Sequence, residues 1–307
     1  MAGGAYSNLK RLIELRHHAQ HLRLLPQQTA SSVHSGRRRS HLRGRGLDFA
    51  ELRHYRPGDD IRCMDWHRTR RLGTPYVRIF TEERDRPIWL LVDQRSPLFF
   101  GSRFQMKSVA AAELAALFAW HMIDQGDRVG GLIIGDNHSA HSTPSRSPVA
   151  LTAWLERLIA VNQSLSVDKH NESAGTTLAQ ALEQLARQVG HDGLVILISD
   201  FHDWDAHCLA LLQRLGRSNN VIACHISDEL ERNIVKVGAM VVTDGQHQLQ
   251  VDSRDDAVAA RYSSAYIEQL EALQANCYRA GVPLLTFDTA SDVASQCLAG
   301  GGAVNDG

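Results

Sequence analysis

"GLVILISD", residues 193–200, is the stretch on which the reading of this chain turns. Between its glycine and aspartate lie Leu194, Val195, Ile196, Leu197, Ile198 and Ser199, with no polar alternation before the serine. A strand with one wet face alternates apolar and polar residues, so an unbroken apolar run of this length predicts a strand covered on both faces, as in a parallel sheet. "IWLLVD", residues 88–93, repeats the device after Pro87 and also ends in an aspartate. Asp93 and Asp200 thus stand at the carboxyl ends of two buried strands, where open α/β sheets gather function.

The segments around these strands complete the pattern. In "QMKSVAAAELAALFAWHMIDQGD", residues 105–127, Met106, Val109, Ala110, Leu114, Leu117 and Phe118 line one side of a helix that stops near Gly126. "RVGGLIIGD" reads as a strand, 148–161 and Thr177 to Val189 as helices, 206–216 as a helix and "NNVIACHIS" as a strand. Alternating strands and helices predict an α/β fold, an open and mostly parallel sheet with helices on both faces. "KVGAMVVTDGQHQLQV" predicts a hairpin near 235–252 turning at Asp244-Gly245. A helix over about 256–280 leads to the strand "PLLTFD", and 291–307 reads as a flexible tail.

Upstream, residues 5–24 carry Leu9, Leu12, Ile13, Leu15 and Leu22 near helical spacing, and 27–46 are rich in Ser, Gly and Arg without periodicity. This predicts a helix and basic linker over 1–41. His17, His18 and His21 share a helix face, with no carboxylate fixed beside them, and read as a polar surface. The chain of 307 residues is 43% hydrophobic and 22% charged, ordinary globular composition. Its net charge of -1 divides into about +9 over residues 1–87 and about -10 over 88–307. No window matches a membrane span, and the amino terminus lacks the apolar core of a signal peptide, so a cytoplasmic location is expected. Cys63, Cys208, Cys224, Cys277 and Cys297 show no CxxC spacing and are expected as reduced, mostly buried thiols.

"YRPGDDIRCMDWHRTRR", residues 55–71, interleaves Arg56, Arg62, Arg68, Arg70 and Arg71 with Asp59, Asp60 and Asp65. Pro57-Gly58 supplies a turn, Asp59 or Asp60 a helix cap, and Ile61, Met64 and Trp66 an apolar side expected to bury. Dense carboxylates among the arginines fit an ion-pair network better than a phosphate-binding surface, so nucleic acid is not the expected partner here. Together with Arg53 and Tyr55 the block reads as a structural clamp, with direct partner binding as the competing reading.

The two strand-ending aspartates and the Gly-Thr-Thr helix start at Thr176 and Thr177 resemble the von Willebrand factor A domain, whose metal-ion-dependent adhesion site draws on three such loops. "GRGLDFAELRHYRPGDDIRCMDWHRTRRLGTPYVRIFTEE" resembles the signature block of the bacterial domain-of-unknown-function family 58. The likeness covers roughly 42–290, with a signature block over 42–86 and an A-like domain over 87–290. Membership implies partnership with a MoxR-type AAA+ ATPase and an adaptor role in assembly or maturation of other proteins.

The adhesion site's first loop runs Asp-x-Ser-x-Ser, whereas residues 93–97 are DQRSP. Arg95 and Pro97 replace both serines. A guanidinium there can bond the carboxylates of Asp93 and Asp200 and supply the charge of a cation, a degenerate site that requires no cofactor. If magnesium does bind, Asp93, Ser96, Thr176 and Asp200 are its expected ligands. The loop "SDFHDWDAH" places Asp200, His202, Asp203, Asp205 and His207 together; Asp203 or Asp205 capping the next helix is the simpler account. No phosphate-binding loop or nucleophile constellation is present, which points to a non-enzymatic protein. The competing class is a metal-dependent phosphodiesterase or nuclease using Asp93, Asp200, Asp203 and His202. A third reading takes the helix and linker over 1–41 as a basic N-terminal arm that precedes the α/β domain and gives it, through Arg37, Arg38 and Arg39, to nucleic acid.

Overall fold

The computed structural model describes residues 4–20, 22, 47–55, 64–82, 86–136, 138–166, 175–233, 238–243, 248–252 and 254–298. The chain divides into two units, Met1–Ala30 with Arg86–Gly307, and Ser31–Asp85.

The larger unit is built on β3 (Pro87–Asp93), β4 (Arg128–Ile134), β5 (Ser139–Ser145), β6 (Leu194–Ser199), β7 (Asn220–Ser227) and β10 (Leu284–Asp288). They form one six-stranded sheet in the order β10-β7-β6-β3-β4-β5. The first five run parallel and β5 is antiparallel at the edge. Successive residues of β3 and β6 point to opposite faces, each with its own apolar layer. Ile88, Leu90, Val92, Ile196 and Ile198 pack beneath α1 (Leu9–Ala19), α3 (Lys107–Asp124), α4 (Pro148–Ser164) and α9 (Val293–Leu298). Trp89, Leu91, Val195 and Leu197 pack against α5 (Leu178–Gln188), α6 (Ala206–Gly216) and α8 (Asp256–Ala280). Two covered faces are why these strands read as continuous apolar runs.

Strand β4 carries two glycines because its neighbours approach too closely for a side chain. A Cβ on Gly131 would lie 2.3 Å from the Leu90 carbonyl oxygen of the paired strand, and one on Gly130 2.5 Å from the carbonyl of Ser142. Both obstacles are backbone, so no rotamer relieves them. Gly131→Ala is expected to destabilise the fold by about 1–3 kcal/mol, read as a lowered urea midpoint at unchanged slope.

The expected first helix forms, and Leu12, Leu15 and Ala19 of α1 are buried in the main core. Arg11 pairs with the buried Glu113 at 2.9 Å, and the Trp120 indole N–H donates to the Leu12 carbonyl at 2.9 Å. Ile13 stays exposed on the outer side of that helix. The stretch read as a flexible tail from residue 291 contains α9, whose Val293, Ala294 and Cys297 bury against the same core. Strand β5, "SAHSTPS", was not foreseen, because an edge strand with polar residues on it lacks the apolar run that marks its neighbours.

β8 (Ala239–Thr243) and β9 (Gln248–Asp252) form the expected antiparallel hairpin; its turn at Asp244-Gly245 lies outside the described residues. Cys208, Cys224, Cys277 and Cys297 are free and buried, as expected, while Cys63 lies outside the described residues. Among the described residues, no helix is long and apolar enough to cross a membrane.

In the smaller unit, β1 (Leu47–His54) pairs antiparallel with β2 (Tyr76–Glu82), and α2 (Trp66–Leu72) lies between them in sequence. Asp65 caps α2, accepting from the amide of Arg68 at 3.0 Å, and Gly73 closes it at φ 72°. The Thr69 hydroxyl accepts from the Tyr76 amide at 3.1 Å, and Met64 bridges to Val77, so these residues turn toward the hairpin. Tyr55 joins the same end, its amide donating to the Pro75 carbonyl at 2.9 Å, and a guanidinium nitrogen of Arg53 donates to the His54 carbonyl. Trp66 was expected to bury and instead is 63% exposed. As the first residue after the cap, it leaves the inward position to Thr69. Pro57, Gly58, Asp59, Asp60, Ile61 and Arg62, and the basic run with Arg37, Arg38 and Arg39, lie outside the described residues.

Candidate functional site

From β3 the chain passes to β4 on one side and later returns to β6 on the other, so strand order reverses between β3 and β6. Ligand crevices form beyond the carboxyl ends of strands at such a point. Asp93 and Asp200 both stand there.

Asp93 is completely buried and both of its carboxylate oxygens are engaged. Oδ1 accepts from the Arg95 amide at 3.0 Å and from Arg95 Nε at 2.9 Å. Oδ2 accepts from an Arg95 terminal nitrogen and from the Ser199 hydroxyl, each at 2.7 Å. Arg95 therefore occupies the position where the sequence suggested a cation surrogate. Its other edge turns to Asp203, at 2.7 and 2.9 Å, and to the Thr176 carbonyl at 3.1 Å. The expected second carboxylate, Asp200, is not its partner. Asp200 instead accepts from Lys107 at 2.9 Å, and Lys107 also pairs with Glu231 of α7 (Glu229–Arg232). Two buried cations thus stand among four carboxyl groups, each held between a deep one and a shallower one.

The electrostatics follow from burial and pairing. Burial opposes the charge on Arg95, but hydrogen bonds and Coulomb attraction from Asp93 and Asp203 outweigh it and hold the guanidinium ionised. Burial likewise opposes the Lys107 ammonium, and Asp200 and Glu231 outweigh it. For Asp200 and Asp203, burial pushes the carboxyls up, yet Lys107 and Arg95 respectively hold them below the ordinary range. For Asp93, full burial prevails and its carboxyl is pushed upward against Arg95, with Asp200 adding to the push.

The other expected ligands face elsewhere. The Ser96 amide donates to Asp136 at 2.8 Å, and its hydroxyl donates to the same carboxylate. Thr177 caps α5, its hydroxyl accepting from the Gln180 amide at 3.2 Å, while Thr176 offers its carbonyl to Arg95. Asp93 thus spends its oxygens on Arg95 and Ser199, Asp200 on Lys107 and the His202 amide, and Thr176 its carbonyl on Arg95. A divalent ion needs several free oxygen ligands, and these two carboxylates are already taken by donors. Among the described residues, no group of three or more His, Cys, Asp or Glu side chains is placed to hold a metal.

In the loop after β6, Asp205 caps α6 by accepting from the Cys208 amide at 2.7 Å. His207 pairs with Glu183 at 2.9 Å, His202 is exposed, and His17 and His18 lie exposed on α1; His21 is outside the described residues. Phe201, buried beside Asp200, has φ 54°, a left-handed conformation that bulky residues rarely adopt. Sequence reasoning missed Lys107 as a site residue. The signal was available: a lysine opening a helix sits against the positive end of the dipole, which calls for nearby carboxylates.

His225 on β7 adjoins this cluster, stacked on Phe201 at 6.4 Å, with Nδ1 buried and unpartnered among the described residues. Burial drives its pKa down to about 4, against Asp200. In the unfolded chain it titrates near about 6.5, so between these values the unfolded state binds the extra proton. Stability is then expected to fall as pH drops from about 6.5 toward about 4, by roughly 3 kcal/mol in all. His225→Gln should flatten that slope in urea denaturation across this pH range.

The chain is 28% identical over 277 residues to an uncharacterized protein of Mycobacterium tuberculosis, covering 88% of this chain and 84% of that one, and an uncharacterized protein of Mycobacterium bovis matches equally. Among solved structures, it is similar to the conserved hypothetical protein BatB from Bacteroides thetaiotaomicron (TM-score 0.42, 9% identity, 70% of this chain and 96% of that one). It is also similar to the SpRpn10 VWA domain (TM-score 0.36, 12% identity, 69% and 93%). A von Willebrand factor type A protein from Catenulispora acidiphila aligns with TM-score 0.35 and 11% identity over 73% of this chain and 44% of that one. Residues 51–272 match the family described as "Protein of unknown function DUF58", and the chain belongs to that family.

Proposed function

We propose that this protein is a non-enzymatic interaction adaptor, working in the cytoplasm with a MoxR-type AAA+ ATPase in the assembly or maturation of other proteins. The partner comes from the family resemblance. The reading is carried by the saturation of the crevice: the carboxylates at the strand ends, Asp93 and Asp200, are both committed to internal cations. A hydrolase working through these residues needs carboxylate oxygens free to hold a metal or accept a proton, and Asp93 offers neither. The phosphodiesterase reading also uses His202, which meets Asp200 through its backbone amide at 3.1 Å while its side chain is exposed. A crevice of fixed, paired charges is suited to recognition, and it requires no cofactor. Nucleic acid is not the partner in this reading.

The test is affinity capture from a lysate of the encoding cell, with mass spectrometry, using the full chain and a Pro97→Glu/His202→Glu variant altered at two exposed crevice loops. Recovery of an AAA+ ATPase by the wild type but not by the variant supports the crevice as the interface. Equal recovery by both moves the interface elsewhere, and recovery by neither removes the reading.

A further inference from the structure

Arg95 is held by two carboxylates of different character. Asp93 is sealed within the sheet, whereas the Asp203 side chain is 32% exposed and sits on the loop after β6. Both outer nitrogens of the guanidinium point at Asp203, at 2.7 and 2.9 Å. The Leu178 amide, at the start of α5, reaches the same carboxylate at 2.8 Å. Three N–H donors therefore converge on one carboxylate position that opens to solvent. The fork of a guanidinium matches the two oxygens of a carboxylate, so the position is selective for that group.

The loop that supplies Asp203 is not relaxed. Phe201 has φ 54°, and the Trp204 indole nitrogen is buried with no partner among the described residues. The two rings pack edge to face at 5.8 Å and hold the loop in place. A sparsely populated backbone conformation stores strain that the surrounding contacts have to hold, and such strain collects at ligand and switch sites.

We propose that the outer edge of Arg95, with the Leu178 amide, is a receptor for a carboxylate carried by a partner protein, and that Asp203 fills this receptor in the free chain. This rests on the adaptor reading above and gives it a ligand chemistry. Asp203 is tethered, so its effective concentration is high, and a partner displaces it only by bringing further contacts of its own. Acidification does not open the receptor at neutral pH: burial raises the Asp203 carboxyl, but Arg95 more than offsets this and keeps it ionised.

The test uses the full chain and Asp203→Asn, which retains an oxygen for the Leu178 amide but presents no charge to Arg95. The probes are N-acetyl-Gly-Glu-Gly amide, with only a side-chain carboxylate, N-acetyl-Gly-Gly-Gly, with only a terminal one, and inorganic phosphate. NMR shift titration is expected to show Asp203→Asn binding at least one peptide about tenfold or more tightly than the wild type does. Asp203→Asn/Arg95→Gln should lose that gain. If near-UV circular dichroism shows the double variant unfolded, Asp203→Asn/Arg95→Lys, which keeps the charge without the fork, makes the same comparison. Whichever peptide binds more tightly identifies a side-chain or chain-end carboxylate as the source. No tightening, tightening that survives removal of the Arg95 fork, or tightening for phosphate alone overturns the proposal. ATPase capture by the wild type without any peptide gain leaves the adaptor reading standing and removes the receptor. Peptide gain without ATPase capture does the reverse.

Discussion

Lys107→Met is expected to cost about 3–5 kcal/mol of stability, the range for removing one partner of a buried ion pair. For a domain of this size that lowers the thermal midpoint by roughly 6–20 °C. Lys107 is among the largest fully buried side chains, and Asp200 beside it is only 8% exposed. Methionine fills the same space, so the loss reports the stranded carboxylates of Asp200 and Glu231 rather than a cavity. Adding Asp200→Asn should restore part of the loss, because one uncompensated charge is removed with its partner. Full stability in Lys107→Met alone, by differential scanning calorimetry, would mean that Asp200 finds water or protonates at little cost.

Removal of Arg95 should be as damaging. Arg95→Ala strands Asp93, which is fully buried and has only the Ser199 hydroxyl left as a side-chain donor, and again about 3–5 kcal/mol is expected. Asp93→Asn in that background should recover part of it. In the wild type, millimolar magnesium is expected to leave the thermal midpoint unchanged, because a cation stabilises only a state it binds and Arg95 already holds the position. A magnesium-dependent rise that disappears in Asp93→Ala would show that an ion does enter and that Arg95 is not its replacement.

The layered sheet was legible because burial on two faces leaves a mark that needs no partner to read: "GLVILISD" and "IWLLVD" both became central strands. The helix over 206–216 was legible for a related reason, as Cys208, Leu211, Leu212 and Leu215 recur at helical spacing and bury together. What escaped depended on partners distant in sequence. The place of α1 rests on Arg11 meeting Glu113 and on Trp120 meeting a carbonyl of the helix, contacts that no local pattern announces. The site divides the same way. Asp93 and Asp200 declared themselves by ending strands, and Arg95 by standing where a serine was expected. That Arg95 takes Asp203 while Asp200 takes Lys107 is decided by loop geometry, and the choice between aspartates three residues apart lies beyond spacing. Trp66 misled because it was grouped with Ile61 and Met64 as an apolar side of a charged block, whereas Asp65 caps the helix at Trp66 and the indole is left exposed.

The position of β3 also governs how the molecule comes into being. It is the first strand of the large sheet to leave the ribosome, yet its neighbour β6 begins at Leu194, about a hundred residues later. At synthesis rates of roughly 5–20 residues per second, one edge of β3 waits about 5–20 s for its mate. During that interval its apolar residues and unpaired amides are open to misassembly, and closing so long a loop makes the later step slow. Helix α3 and strand β4 follow β3 directly and can shelter one edge and one face of it meanwhile. The nascent chain therefore has most need of a holding chaperone between the emergence of Asp93 and that of Ser199.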